Sequence, residues 1–501
     1  MSEDEAQPKE LVRWPTDVPG LDKVLGGGLL KGGLYLLEGA PGSGKTILAS
    51  QICFSLIKRG EKVVYVTLIA ETHGKLIGHL STMRFFDSRQ LGRGFFLLSG
   101  YGDLTNGGRS RLFEMLAREV QTHKPYFLVI DGFRAAREVQ QVELDLIGFV
   151  HRLNTFAMSS GCTMLLLSPY EADETRPEHT LIDGLIELDR RSVGMQMVRE
   201  LAVHKIRAAS QLPGRHAFII TEEGLTVFPR FESLPTLAET TFSPDGSRLK
   251  FNVGKLDDML RGGVLRTSVT TLIGSPGTGK TLLGLHFLVE GARNGEPSLH
   301  FGFYEPREAL LTKAAGVGLP LREAVDSGAL EVIWQPALEQ IVDQLAYKLM
   351  DAVKRRKVRR LFIDGIGGFR EATAYPERLV RFLTALMTEL RALNVTTVVT
   401  EELPLFAPDV QSPLHPLVEN IIYLRQVELR SQLYRLISIM KLRDSPYDSA
   451  IREFVINDKG IFVESSFESA EAILTGRARV RSDGPENENK TNRGGARRRR
   501  K

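Results

Sequence analysis

Gly39-Ala40-Pro41-Gly42-Ser43-Gly44-Lys45-Thr46 and Gly274-Ser275-Pro276-Gly277-Thr278-Gly279-Lys280-Thr281 are two copies of one pattern, G-x-x-x-x-G-K-T. The first follows a short apolar run, Leu34–Leu37, and opens a segment of helical periodicity. A strand, a glycine-rich turn and a helix in that order make a phosphate cradle. The glycines permit positive φ and close approach of the backbone, and the helix aims its N-terminal N–H groups at the anion. From average composition, one chance match in a chain this long has a probability of roughly 2%. Two matches in the same setting are therefore read as two anion sites. Lys45 and Lys280 supply charge to the terminal phosphates, and Thr46 and Thr281 offer hydroxyls to a divalent cation.

The repetition extends well beyond the loops. Phe127-Leu-Val-Ile-Asp-Gly132 is echoed by Leu361-Phe-Ile-Asp-Gly365, and Lys205-Ile-Arg207 by Lys441-Leu-Arg443. Lys45 to Lys280 spans 235 residues, Asp131 to Asp364 spans 233 and Lys205 to Lys441 spans 236. Three separated motifs with one spacing mark a duplicated domain. Each half alternates short strands, such as Lys62–Leu68, Phe127–Asp131 and Met164–Ser168, with helical segments. The expected fold class is α/β: two tandem RecA-like P-loop NTPase domains, each a mostly parallel sheet flanked by helices. The expected organisation is a flexible N-terminus over 1–13, a first domain over 14–235, a second over 236–481 and a disordered basic tail over 482–501.

Asp131 and Asp364 each end an apolar strand and are read as the carboxylates that hold a water on Mg²⁺. Glu71 and Glu305 lie 26 residues after Lys45 and 25 after Lys280, at the end of the next strand, where a carboxylate could orient the attacking water. In Lys205/Arg207 and Lys441/Arg443 the two cations share a strand face, with Ile206 or Leu442 pointing inward. Such pairs suit a neighbouring subunit's site, where they would stabilise transition-state charge in trans.

A 501-residue chain exceeds one ordinary core. No run approaches the roughly 18 apolar residues of a membrane span, and the acidic, polar segment Met1–Glu10 is no secretory signal. Cys53 and Cys162 are read as buried thiols, which together with the rest points to the cytoplasm. Seven cations from Lys490 to the end account for the basic balance; without them the net charge goes from +4 to −3. An acidic body, with no zinc-binding cysteine set and no interleaved aromatic–basic platform, argues against a nucleic-acid partner.

These motifs resemble the KaiC-like family of double-domain RecA-like ATPases. The resemblance runs over about residues 14–475 and is closest in 430–445 and 450–460. It implies a two-tiered, nucleotide-dependent homo-hexamer with ATP at the subunit interfaces, slow hydrolysis, and autophosphorylation by the second domain in the clock proteins. Lys205, Arg207, Lys441 and Arg443 match the family's trans-acting positions. Two departures stand out. The family's Glu-Glu dyad corresponds to Ala70-Glu71 and Tyr304-Glu305, so its first Glu is missing from both halves. The family's adjacent Ser and Thr phosphorylation sites fall on His415 and Pro416, with Ser412 nearby but not at a matching position. The expectation is an ATP- and Mg-dependent oligomeric switch or scaffold with a signalling partner and without the usual autokinase activity. A RecA-like DNA-dependent ATPase in repair or recombination and a non-catalytic ATP-binding adaptor are the alternatives.

Overall fold

The computed structural model describes residues 12–69, 73–138, 143–170, 177–234, 246–336, 338, 341–402, 412, 414–429, 432–443 and 446–464. The first half builds a nine-stranded sheet from β1 (Leu34–Gly39), β2 (Val63–Thr67), β3 (Phe95–Ser99), β4 (Phe127–Asp131), β5 (Thr163–Ser168), β6 (Gly184–Val193), β7 (Gln196–Ile206), β8 (Arg215–Thr221) and β9 (Gly224–Phe228). The order across it is β9-β8-β7-β6-β1-β5-β4-β2-β3. Strands β6 to β3 along that order run parallel, and β6 to β9 form antiparallel hairpins.

The second half repeats the plan with β10 (Val269–Gly274), β11 (Ser298–Gly302), β12 (Leu330–Trp334), β13 (Arg360–Asp364), β14 (Thr396–Glu402), β15 (Asn420–Leu429), β16 (Gln432–Leu442), β17 (Arg452–Asn457) and β18 (Gly460–Val463), in the order β12-β11-β13-β14-β10-β15-β16-β17-β18. Even an irregularity is repeated. The ladder slips between Leu185 and Ile186 in one half, and between Ile421 and Ile422 in the other.

Strands buried on both faces read as continuous apolar runs, and β1 shows why. Tyr35 and Leu37 pack on one side with Leu48, Ile52 and Leu56 of helix α1 (Lys45–Lys58). Leu34 and Leu36 pack on the other with Leu112 and Leu116 of α2 (Tyr101–His123) and Phe149 and Leu153 of α3 (Glu143–Ser160). Each such fully buried Leu is worth about 1.5–3 kcal/mol relative to exposure. The P-loop strand is thereby clamped between two helical layers, and only its carboxyl end is left for a ligand.

Phe231, beyond the last strand of the first sheet, is buried among second-half residues such as Val342 and Phe382. Its N–H donates to Asp343 Oδ1 at 2.9 Å. Arg378 bonds both Glu232, at 2.8 and 3.0 Å, and Asp343, at 2.9 and 3.1 Å. Residues 235–245, at the expected boundary between the domains, lie outside the described residues, as do 1–11 and 465–501, which include the basic tail. Among the described residues no helix is long and apolar enough to cross a membrane. Cys53 and Cys162 are free and buried.

Candidate functional site

Both glycine-rich turns have the backbone a phosphate cradle needs. Gly42 and Gly44 sit at φ 74° and 108°, and Gly277 and Gly279 at 78° and 101°. At Gly39 a Cβ would lie 2.3 Å from the Leu188 carbonyl oxygen, and at Gly274 2.3 Å from that of Leu424. Only glycine lets the neighbouring strand run that close. The helices that follow, α1 and α4 (Lys280–Arg293), start at the motif lysine itself.

The lysines fold back over their own loops. Lys45 Nζ donates to the Gly39 and Ala40 carbonyls at 2.6 and 3.0 Å, and Lys280 Nζ to those of Gly274 and Ser275 at 2.8 and 2.9 Å. Burial lowers the pKa of both below the ordinary lysine value, against the opposing pull of Asp131 on Lys45 and of Glu402 and Asp364 on Lys280. An ammonium held over the carbonyls of a glycine-rich turn is a cation awaiting an anion.

The strand-end carboxylates face the same clefts. Thr46 Oγ1 donates to Asp131 Oδ2 at 3.3 Å, and the Tyr65 hydroxyl donates to the same oxygen at 2.7 Å. Burial raises the Asp131 pKa, and those two hydroxyls only partly offset it. A bound cation would reverse that penalty. In the second half Thr400 Oγ1 donates to Asp364 Oδ1 at 2.8 Å. A threonine hydroxyl beside a carboxylate is a hard oxygen set of the kind Mg²⁺ accepts. Clefts of about 540 and 590 Å³ open over the two sites, the first lined by Gly42, Thr46 and Asp131, the second by Lys280, Thr281 and Asp364.

Glu71 lies outside the described residues, with Ala70 and Thr72. Glu305 lines the second cleft, but its carboxylate is paired with Lys313. The strand register refines the comparison of the halves. Thr67 is level with Asp131 and Gly302 with Asp364, so Ile69 matches Tyr304. Both side chains cover the glycine that follows the strand-end Asp: Ile69 lies over Gly132 and Tyr304 over Gly365. The buried Leu76 and Leu310 are 234 apart, against 235 for Ile69 and Tyr304, so the first half carries one extra residue between strand and helix. The Tyr304 phenol is pushed up to about 12 by burial and by the charges of Glu371, Glu402 and Asp364. It is a neutral hydroxyl at any physiological pH.

The Lys/Arg pairs are not brought to their own chain's P-loops. Lys205 pairs across the ladder with Leu185, and Leu185 with Leu36, toward the amino end of β1, whereas the P-loop leaves its carboxyl end. Lys441 is placed likewise through Ile421 and Thr271. Ile206 and Leu442 are buried as expected, but both strands end there, so Arg207 and Arg443 stand just beyond them. Lys205 Nζ donates to the His179 and Thr180 carbonyls at 3.0 and 3.1 Å, and Lys441 Nζ to those of His415 and Val418 at 3.0 and 2.7 Å. Arg207 reaches Asp183 at 3.3 Å, and Arg443 reaches Glu419 at 3.8 Å.

Some site residues escaped the motifs. Arg199 donates to the Gly42 carbonyl at 3.0 Å and Arg435 to that of Gly277 at 3.2 Å. Their spacing, the same 236 as the lysine pairs, was the signal that could have found them. Glu402, at the end of β14, stands 3.9 Å from Lys280 Nζ and has no such echo.

A sequence model of one protein family, described as the KaiC ATPase, matches residues 14–232 and 249–468, one stretch on each sheet. The chain belongs to the KaiC ATPase family. Among its KaiC relatives is the circadian clock oscillator protein KaiC of Parathermosynechococcus lividus, 26% identical over 481 residues, which cover 92% of this chain and 87% of that protein. The KaiC of Synechococcus elongatus is also 26% identical, over 483 residues covering 93% and 92%. That of a Picosynechococcus species is 26% identical over 476 residues, covering 92% and 91%. Tandem RecA-like domains and an ATPase lineage therefore stand.

Proposed function

We propose that the chain is a nucleotide-dependent homo-oligomeric switch, a hexamer by analogy with its family. It would bind Mg·ATP in both P-loops and hydrolyse it slowly. One observation carries this reading: each half presents a lysine held over a glycine-rich turn, with a threonine hydroxyl and a strand-end aspartate in the same cleft.

Gly39, Gly42, Ser43, Gly44, Lys45 and Thr46 would hold the first triphosphate, and Gly274, Gly277, Thr278, Gly279, Lys280 and Thr281 the second. Thr46 with Asp131, and Thr281 with Asp364, would hold Mg²⁺, which supplies charge neutralisation on the phosphates. Glu71 and Glu305 remain candidates to orient water. Lys205, Arg207, Lys441 and Arg443, remote from their own loops, would complete a neighbour's site. Hydrolysis would then change the surface offered to a protein partner in the cytoplasm. His415 and Pro416 at the family's modification positions support a switch without the usual Ser/Thr autophosphorylation.

The test is to incubate the full chain with Mg²⁺ and γ-labelled ATP and score size, free phosphate and protein-bound label together. A nucleotide-dependent large particle, slow phosphate release unaffected by single-stranded DNA, and unlabelled protein are expected. A monomer with and without nucleotide would sink the reading.

A further inference from the structure

Among the described residues the second cleft is lined by four carboxylates, and they are not equivalent. Asp364 bonds Thr400 and faces the metal position. Glu305 is engaged with Lys313. Glu371 belongs to the short helix Gly367–Glu371 beyond the Asp364 strand. Glu402 alone among the described carboxylates of this cleft reaches the P-loop lysine, with Oε1 3.9 Å from Lys280 Nζ.

Its place in the sheet explains the reach. β14 lies between the strand that ends in Asp364 and the strand that enters the P-loop. Glu402 is level with Gly274, the first residue of the loop. Its side chain is 57% exposed and faces the cleft. The position belongs to this half only. Glu38 is level with Ser168 and Ile273 with Glu401, so the residue matching Glu402 in the first half is Pro169.

We propose that Glu402 is the water-activating carboxylate of the second site, ahead of Glu305, whose carboxylate is engaged with Lys313. The inference rests on the ATPase reading above and deepens it. Lys280 is the group that would face the terminal phosphates, so Glu402, beside that ammonium in a cleft open to water, would stand near the γ-phosphate. In the step, a carboxylate oxygen of Glu402 takes a proton from water as the water oxygen bonds the γ-phosphorus. The bond from that phosphorus to the β,γ-bridging oxygen breaks, ADP leaves with the bonding pair, and the proton passes from Glu402 to solvent. The first site, with Pro169 at this position, would have to rely on a different group, so the two halves turn over unequally.

The test uses the full chain carrying Lys45→Ala, which silences the first cradle, with and without Glu402→Gln or Glu305→Gln. Phosphate release is read beside equilibrium binding of a non-hydrolysable Mg·ATP analogue. Glu402→Gln is expected to slow release by roughly 10²-fold while the analogue binds as tightly or more tightly, since one negative charge facing the phosphates is gone. Release slowed more by Glu305→Gln than by Glu402→Gln would return the role to Glu305 and overturn the assignment. Unchanged release in Glu402→Gln, or binding lost in parallel with release, would overturn the assignment. So would a Lys45→Ala chain that binds the analogue but releases no phosphate. Failure of the wild-type chain to bind or hydrolyse at all would instead sink the ATPase reading.

Discussion

The two P-loop lysines show how a single residue can be poised. Each gives up hydration and in return donates to two carbonyl oxygens of its own turn. Burial lowers both pKa values below the ordinary 10.5, with nearby carboxylates opposing the shift. A bound triphosphate favours the charged form, so binding takes up a proton wherever the free lysine has lost one. Affinity for a Mg·ATP analogue should therefore weaken as pH rises through the lowered lysine pKa, with the onset below pH 10.5. Without ligand the sign is opposite. A lysine whose folded pKa is lowered disfavours the folded state below that pKa, and the penalty fades as pH rises toward the unfolded value. Analogue titrations between pH 8 and 10, beside unfolding curves at the same pH values, check both slopes. Affinity that is flat across that range would show the lysines to be fully charged before binding.

Pairs of strands carry a device that no motif search sees. In the first half the carboxylate beneath the P-loop is Glu38 on β1. It lies 3.7 Å from Arg137 and 3.5 Å from His179, and Arg137 is also 2.9 Å from Glu178. In the second half the matching position on β10 is Ile273, and the carboxylate has crossed to the adjacent strand as Glu401, level with Ile273. Glu401 there accepts from Ser412 Oγ and lies 3.8 Å from Arg370, the counterpart of Arg137. One buried negative charge is kept in place by either of two neighbouring backbones. Glu38→Ile alone should cost about 1–3 kcal/mol, because Arg137 and His179 lose a buried acceptor and Arg137 keeps only Glu178 as an ion-pair partner. Adding Ser168→Glu, which copies the second half, should recover at least half of that loss in a double-mutant cycle measured by denaturant unfolding. Strict additivity would refute the exchange. The glycine-rich turns and the strand ends at Asp131 and Asp364 were legible because local order along the chain defines them, whereas the shared strand face expected of each Lys/Arg pair was not met, since the strands end at Ile206 and Leu442. The Glu38–Glu401 exchange and the reach of Glu402 were not legible, since both depend on which strands lie side by side, and the partners are 130 or so residues apart. The extra residue after Thr67 was hidden too. The expected pairing of Ala70 with Tyr304 counts along the chain, whereas the ladder sets Ile69 against Tyr304.

At the scale of the whole molecule, two similar domains are joined by a contact that sets a charged cluster beside an aromatic one. Phe231 enters the second core, and its N–H is capped by Asp343, which is fully buried. Burial raises the Asp343 pKa, and Arg378 opposes that shift while also holding Glu232 below its ordinary value. Arg378 is thus the one described cation bonded to both acids, one from each side of the junction. Removing it leaves a buried, uncompensated carboxylate, a loss that costs about 3–5 kcal/mol. Arg378→Ala should therefore weaken the docking of the domains more than either sheet, splitting a single calorimetric unfolding transition into two. The damage should also shrink at acid pH. A carboxyl with a raised folded pKa binds its proton more tightly when folded, so the penalty is full above that pKa and fades as pH falls through it. Asp343→Asn together with Arg378→Met should be milder than Arg378→Ala, because no charge is then left stranded. If Arg378→Ala kept one transition at the wild-type temperature, the charged junction could not be what makes the two halves respond together, and nucleotide-driven change in one half would need another route to the other.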